Sequence, residues 1–345
     1  MWRLILMLAL AAGCDSSSNG STPDGNISID GPPNSIDAPR SIDGPNSNDA
    51  STSIDAPPNP DGSTGGTDYG RDGTDTVTTF TASVNTGVRT FNETVYLPGS
   101  AGAHPAVVLA PGLAQPATAY HDYGQRLASH GIITLIRDDP NVVEDSTAVA
   151  ADISYVVATW LPAENTGSGM LAGKVDLAHI GLAGHSRGGK STLLAAEMGA
   201  MGKVSAWFGL DAIDATLFSG GNQAVDRIGT IGIPTAQLGT AMVTPCSPTA
   251  YNYQVLYAAA SSPSVALLGV NSGHTQLEDQ TYCVACGVCT PMGTADSQTV
   301  LHYSVKYLTA FFARELKGDT NVGATFDGAG VQADIAAGLI TMQSK

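Results

Sequence analysis

Charged residues are scarce in this 345-residue chain, 13% of the total, and basic ones are scarcest: 15 Lys and Arg stand against 31 Asp and Glu, a net charge of −16. That deficit excludes a polyanionic partner such as nucleic acid, whose binding draws on Lys and Arg against phosphates, and argues equally against docking on an anionic membrane surface. Long apolar runs are also missing. Leu4 to Ala12 is an apolar run of nine residues, about 14 Å as a helix and too short for a bilayer core. No later segment is long enough to span one. Glu is absent from the first 75 residues, which hold 11 Asp, three Arg and 8 of the 19 Pro. No Asp or Glu occurs between residues 227 and 277, which limits where a catalytic acid can lie.

What is present divides the chain into three parts. Met1-Trp2-Arg3, the apolar run and Gly13-Cys14 read as a signal peptide over 1–13. Leu10-Ala11-Ala12-Gly13-Cys14 resembles a bacterial lipoprotein lipobox, which implies lipid modification at Cys14 and a membrane-anchored, exported protein of a cell envelope, periplasmic or on the outer surface. From 14 to 75, Ser-Ile-Asp-Gly/Ala-Pro recurs at Ser28–Pro32, Ser35–Pro39, Ser41–Pro45 and Ser53–Pro57. So few large apolar groups cannot offset the entropy of ordering, so the segment is expected to be a disordered tether; a Ca²⁺ array on the regular Asp is the alternative. Residues 76–345 carry nearly all the aromatics and suffice for one large buried core.

That part alternates strand and helix. Val77–Val84 and Val88–Leu97 read as edge strands, Ala106–Ala110, Ile132–Ile136, His179–Ala183, Val204–Leu210, Thr235–Gly239 and Val265–Val270 as further strands. Tyr120–His130, Thr147–Leu161, Lys190–Gly199 and Val300–Leu316 read as helices. The expectation is an α/β fold with a mostly parallel central sheet and helices on both faces, its chemistry at the carboxyl ends of the strands.

After His179–Ala183 comes Gly184-His185-Ser186-Arg187-Gly188-Gly189-Lys190-Ser191. Gly184-x-Ser186-x-Gly188 is a nucleophile elbow, yet Gly184, Gly189, Lys190 and Ser191 also satisfy the phosphate-cradling P-loop, with Val204–Leu210 and Asp211 as a Walker-B strand. Other residues favour the elbow. His274 follows the strand Val265–Val270, and Pro111-Gly112-Leu113 follows Ala106–Ala110, where an oxyanion loop belongs. An exported protein also meets little ATP. Four carboxylates lie between Ser186 and His274: Glu197, Asp211, Asp214 and Asp226. Asp211, at a strand end, takes the role of acid, with Asp214 in reserve. The expected catalytic set is Ser186, Asp211 and His274, with the backbone N–H groups of Leu113 and Arg187 as the oxyanion hole. Such chemistry needs no metal or cofactor. The other histidines, His185 among them, are expected to be structural or surface groups.

The run Gly184–Lys190 resembles the lipase motif of chlorophyllases, and Phe208-Gly209-Leu210-Asp211 resembles the segment that carries their catalytic Asp. Pro245–Pro248, Gly273-His274 and Leu277–Asp279 follow that family in order. Leu127–Gly131, Pro111-Gly112 and Tyr307–Asp319 are similar to bacterial cutinases and polyester hydrolases. Pro-Gly-Leu stands where chlorophyllases have His-Gly-Phe, and the post-strand acid of polyester hydrolases is absent. The resemblance, over about 85–320, implies an α/β-hydrolase fold and a serine carboxylic-ester hydrolase acting on a small ester, a lipid or a polyester. A phospholipase-like activity is a variant, and a catalytically idle binding lipoprotein is the rival. The partners expected are an ester substrate and, through the anchor, a membrane, for a monomeric protein. Cys246, Cys283, Cys286 and Cys289 are expected to form two disulfides of open connectivity near His274; Zn²⁺ or a cluster is the alternative.

Overall fold

The computed structural model describes residues 67–138, 145–198, 200, 202–216, 223–279 and 289–345. They lie within one compact unit, Asn59–Lys345. Cys14, most of the 14–75 tether, Cys283 and Cys286 fall outside the described residues.

The central strands are short apolar runs because both faces of each are covered. In β3 (His104–Ala110), Val107 and Leu109 enter one core while Ala106, Val108 and Ala110 enter the other. The same alternation runs through β4 (Ile133–Asp138), β5 (Val175–His185) and β6 (Val204–Leu210), whereas β7 (Thr235–Thr240) and β8 (Ser264–Gly269) send Ala236, Leu238, Val265 and Leu267 into the first core. With β1 (Val77–Asn85), β2 (Thr90–Pro98) and β9 (Ile340–Ser344) they form a nine-stranded sheet in the order β1-β2-β4-β3-β5-β6-β7-β8-β9. The pairings from β4 to β8 are parallel, and β1, β2 and β9 pair antiparallel. This is the α/β-hydrolase architecture.

Helix α1 (His121–Ser129) and the long α6 (Ser297–Lys317) cover one face; α2 (Ser146–Tyr155), α3 (Leu161–Thr166) and α4 (Arg187–Glu197) cover the other. Adjacent aromatics on β6 serve opposite cores. Phe208 meets Phe311 of α6 edge-on at 5.5 Å, while the Trp207 indole N–H donates to Thr192 Oγ1 of α4 at 3.0 Å. Each ring fills one core and buries no unsatisfied donor. Helix α5 (Tyr253–Ala259) packs against β7 and β8.

Three boundaries differ from expectation. The Val88–Leu97 strand lies inside the sheet, because β2 pairs with both β1 and β4. The Thr147–Leu161 helix breaks into a π-helical turn over Val156–Trp160 before α3. The folded part also begins before residue 76. Tyr69 is buried and donates to Asp319 Oδ2 at 2.6 Å, and Gly73 and Asp75 N–H groups bind Ser129 at 2.9 and 3.0 Å. One buried aromatic with a polar end met by a carboxylate anchors a segment that its composition marks as tether.

Among the described residues, Glu93 is the inner-sheet acid without a hydrogen bond. It faces the second core on β2, opposite Arg137, and both its oxygens are buried and unpartnered. Burial pushes its pKa up to about 8, against the opposing pull of Arg137. A carboxyl whose folded pKa exceeds its unfolded one destabilises the fold as pH rises between the two, here from about 4.5 to about 8. Glu93→Gln is therefore expected to leave the melting temperature unchanged at pH 4 and to raise it at pH 8 by about 5 °C, the scale of roughly 2 kcal/mol in a domain of this size. Calorimetry at both pH values checks this; an equal shift at both would show that Glu93 does not titrate on unfolding.

Candidate active site

Ser186 sits between β5 and α4 at φ 54°, ψ −123°, a conformation that side chains rarely adopt. Its neighbours explain how it is held. A Cβ on Gly184 would lie 2.3 Å from the Gly188 carbonyl carbon, and one on Gly188 would lie 2.1 Å from the Ala110 oxygen. The start of α4 is thus pressed against the ends of β5 and β3, and only glycine fits at both contacts. The Ser186 N–H donates to Leu210 O at 3.0 Å, and Ser186 O accepts from Ile213 N at 3.1 Å, which pins the turn to the end of β6.

Four strand ends converge here. Ala114, Ser186, Asp211 and Asn271 are the non-glycine residues with positive φ among those described, and they follow β3, β5, β6 and β8. The backbone leaves each strand abruptly, so side chains that follow stay close to the sheet. Asp211 and His274 are buried and Ser186 is half-buried. His274 Nδ1 lies 2.6 Å from Asp211 Oδ2, and His274 Nε2 lies 2.9 Å from Ser186 Oγ. A carboxylate only accepts, so Nδ1 carries the proton and Nε2 is left to accept from the serine hydroxyl.

Thr240, at the end of β7, stands where a post-strand acid is vacant. Its hydroxyl donates to Asp211 Oδ2 at 2.8 Å and its N–H to Oδ1 at 3.3 Å, so the carboxylate is fixed from a neighbouring strand. His274 is fixed from the other side. Gln276 Oε1 accepts from Gly273 N at 2.8 Å while its Nε2 donates to Ala295 O at 2.8 Å and Ser297 Oγ at 2.9 Å, at the start of α6. Neither Thr240 nor Gln276 has a spacing signal that singles it out in the sequence.

Two of the other candidate carboxylates, Asp214 and Glu197, are engaged elsewhere. Asp214 Oδ1 pairs with Lys190 Nζ at 2.9 Å, and its oxygens accept from Ala224 and Val225 N–H groups at 2.8 and 2.9 Å. Glu197 pairs with Arg227 at 2.8 Å. Lys190 also donates to Ala215 O at 2.9 Å, so its ammonium is buried against Asp214 and not presented to a phosphate. Leu113 and Arg187 lie just beyond Ala110 and Gly184, which pair across adjacent strands. Arg187 opens α4, and the first N–H groups of a helix point out of its N-terminal end. Gly112 N–H is engaged with Tyr120 Oη at 2.9 Å.

Of the four distal cysteines, Cys246 and Cys289 form a disulfide, joining the loop after β7 to the segment before α6. Beyond Cys289, the Gly293 backbone approaches that of Gly273, next to His274. Among the described residues no group of three or more His, Cys, Asp or Glu side chains could hold a metal.

The pattern of the chlorophyllase family matches residues 71–322. The chain belongs to the chlorophyllase family. The matched span takes in Ser186, Asp211, His274 and both bridged cysteines, and it opens beside the buried Tyr69. Membership agrees with the sheet order and makes the protein a hydrolase of the α/β class. Comparison with curated proteins finds no match.

Two outcomes follow for this chlorophyllase-family site. Replacing Cys246 and Cys289 together by Ser should lower the melting temperature by roughly 5–10 °C, since closing a loop of this length contributes about 2–4 kcal/mol. An unchanged melting curve would show the bridge to be dispensable. Thr240→Val should slow the hydrolytic step about tenfold with binding little altered, the scale of one lost hydrogen bond to a charged group; kcat and KM measured together would reveal it.

Proposed function

We propose that the protein is a serine carboxylic-ester hydrolase, and the observation that carries this reading is the hydrogen-bonded chain Ser186–His274–Asp211. Ser186 Oγ attacks the ester carbonyl carbon while His274 Nε2 takes its proton. Asp211, acceptor of Nδ1–H, stabilises the imidazolium that forms. The oxyanion is received by the backbone N–H groups of Leu113 and Arg187, each worth roughly 3–4 kcal/mol in comparable sites. Collapse of the tetrahedral adduct breaks the ester C–O bond, and His274 returns its proton to the departing alcohol. Water then attacks the acyl-serine by the same route, and the carboxylic acid leaves. The protons and electrons balance within these groups and the substrate.

An apolar acyl or alcohol group is the proposed substrate feature. Val243, Tyr251 and Met292 are large apolar side chains left exposed, and they lie on the loop after β7 and on the segment after Cys289. Charged substrates gain nothing from exposed apolar side chains. The sequence pattern at Cys14 and the Asp/Pro/Ser-rich stretch after it support a lipid anchor and spacer, with the hydrolase working at a cell envelope.

Hydrolysis of p-nitrophenyl esters from acetate to dodecanoate by the full chain tests this reading. Ser186→Ala should lower kcat more than about 10⁴-fold and Asp211→Asn about 10³–10⁴-fold. Turnover that survives in Ser186→Ala would contradict the assignment. Loss in Ser186→Ala with full activity in Asp211→Asn would move the acid elsewhere.

A further inference from the structure

His185, the filler of the elbow motif, is fully buried instead of facing the cleft. Its ring lies 4.6 Å from that of His274, and its Nε2 is 3.1 Å from the His274 carbonyl oxygen. A carbonyl only accepts, so Nε2 carries a proton. Burial and the adjacent His274 hold the imidazole well below its usual pKa, so the ring is neutral and Nδ1 is bare. Tyr120 Oη lies 2.7 Å from Nδ1 and must donate to it. The same oxygen then accepts the Gly112 N–H at 2.9 Å. Glu278 is the second group facing Nδ1, with Oε1 at 3.4 Å. Burial pushes its pKa up to about 8, so at neutral pH it keeps its proton and does not draw the ring into the cationic form. One directed chain results: Gly112 N–H to Tyr120 O–H to His185, and His185 Nε2–H to the His274 carbonyl.

We infer that Tyr120 and His185 are positioning residues that tie the oxyanion loop after β3 to the loop carrying His274, so that the two halves of the site move as one. The inference rests on the esterase reading above. It gives Gly112 and Leu113 different tasks: the first amide is held by Tyr120, and the second faces the developing oxyanion.

The test uses the full chain with Tyr120→Phe, His185→Leu, His185→Gln and the Tyr120→Phe/His185→Leu pair. Each of the first two should lower kcat about tenfold to a hundredfold, with KM within about threefold, the scale of a misplaced reacting group. His185→Gln should recover most of the loss, because its amide N–H can reach the His274 carbonyl. The double variant should be no more than about threefold worse than the worse single one, since both cut the same chain. Losses that multiply, or a rise in KM at unchanged kcat, would overturn the proposal. A second readout stands apart from catalysis. The nitrogen-15 spectrum of labelled histidines should show His185 neutral with its proton on Nε2, and Tyr120→Phe should alter the Nδ1 resonance. A proton on Nδ1 would overturn the tether even if ester hydrolysis holds, and the Nε2 form would support it even if no ester is turned over.

Discussion

The site depends on how closely the first turn of α4 approaches the ends of β3 and β5. That approach is set by glycines, whose missing side chains let the Gly188 backbone rest on the Ala110 carbonyl. It forces Ser186 into a positive-φ conformation, which costs on the order of 1–3 kcal/mol and persists only where surrounding bonds hold it. Here they are the main-chain bonds from Ser186 to Leu210 and Ile213. Those bonds also fix the end of β6, which carries Asp211. The geometry at Ser186 and the position of Asp211 are therefore one constraint and not two.

Around this point the protein satisfies polar groups mainly by side chains from the neighbouring strand ends. Thr240 holds Asp211, Gln276 holds the His274 loop, and Tyr120 with His185 spans from the loop after β3. Cys246–Cys289 ties the loop after β7 to the segment before α6. Asp214 and Lys190 pair with each other beneath the elbow helix, leaving a neutral buried unit where two unpaired charges would be costly. Glu93 follows the other route, burial favouring its protonated form against the pull of Arg137 on the neighbouring strand. The interior thus contains several acids but little uncompensated charge.

Much of this was legible in the sequence, for physical reasons. Strands covered on both faces are largely apolar, so β3 to β6 and β8 were visible as short runs between helices. The sharp turn at Ser186 was visible because it demands glycine, and the Asp211 that meets His274 because an acid-free stretch left few choices. Other features leave no such trace. Ile340–Ser344 buries little beyond Ile340, so β9 has no hydrophobic pattern to read. Tyr69 is a lone aromatic in an acidic, proline-rich surrounding, yet its burial moves the start of the fold. Thr240, Tyr120 and His185 act through hydrogen bonds made possible only by the sheet order, which brings together residues far apart in the chain. The Lys190 of the overlapping phosphate-binding pattern could be read two ways until Asp214 was placed beside it.

The central claim is that Ser186 is an activated nucleophile. It is tested most directly by treating the full chain with an alkyl fluorophosphonate and locating the adduct by peptide mass spectrometry. The account predicts one adduct per chain, on Ser186, formed far more slowly in His274→Ala. No adduct, or one on another residue with Ser186 unmodified, would contradict it.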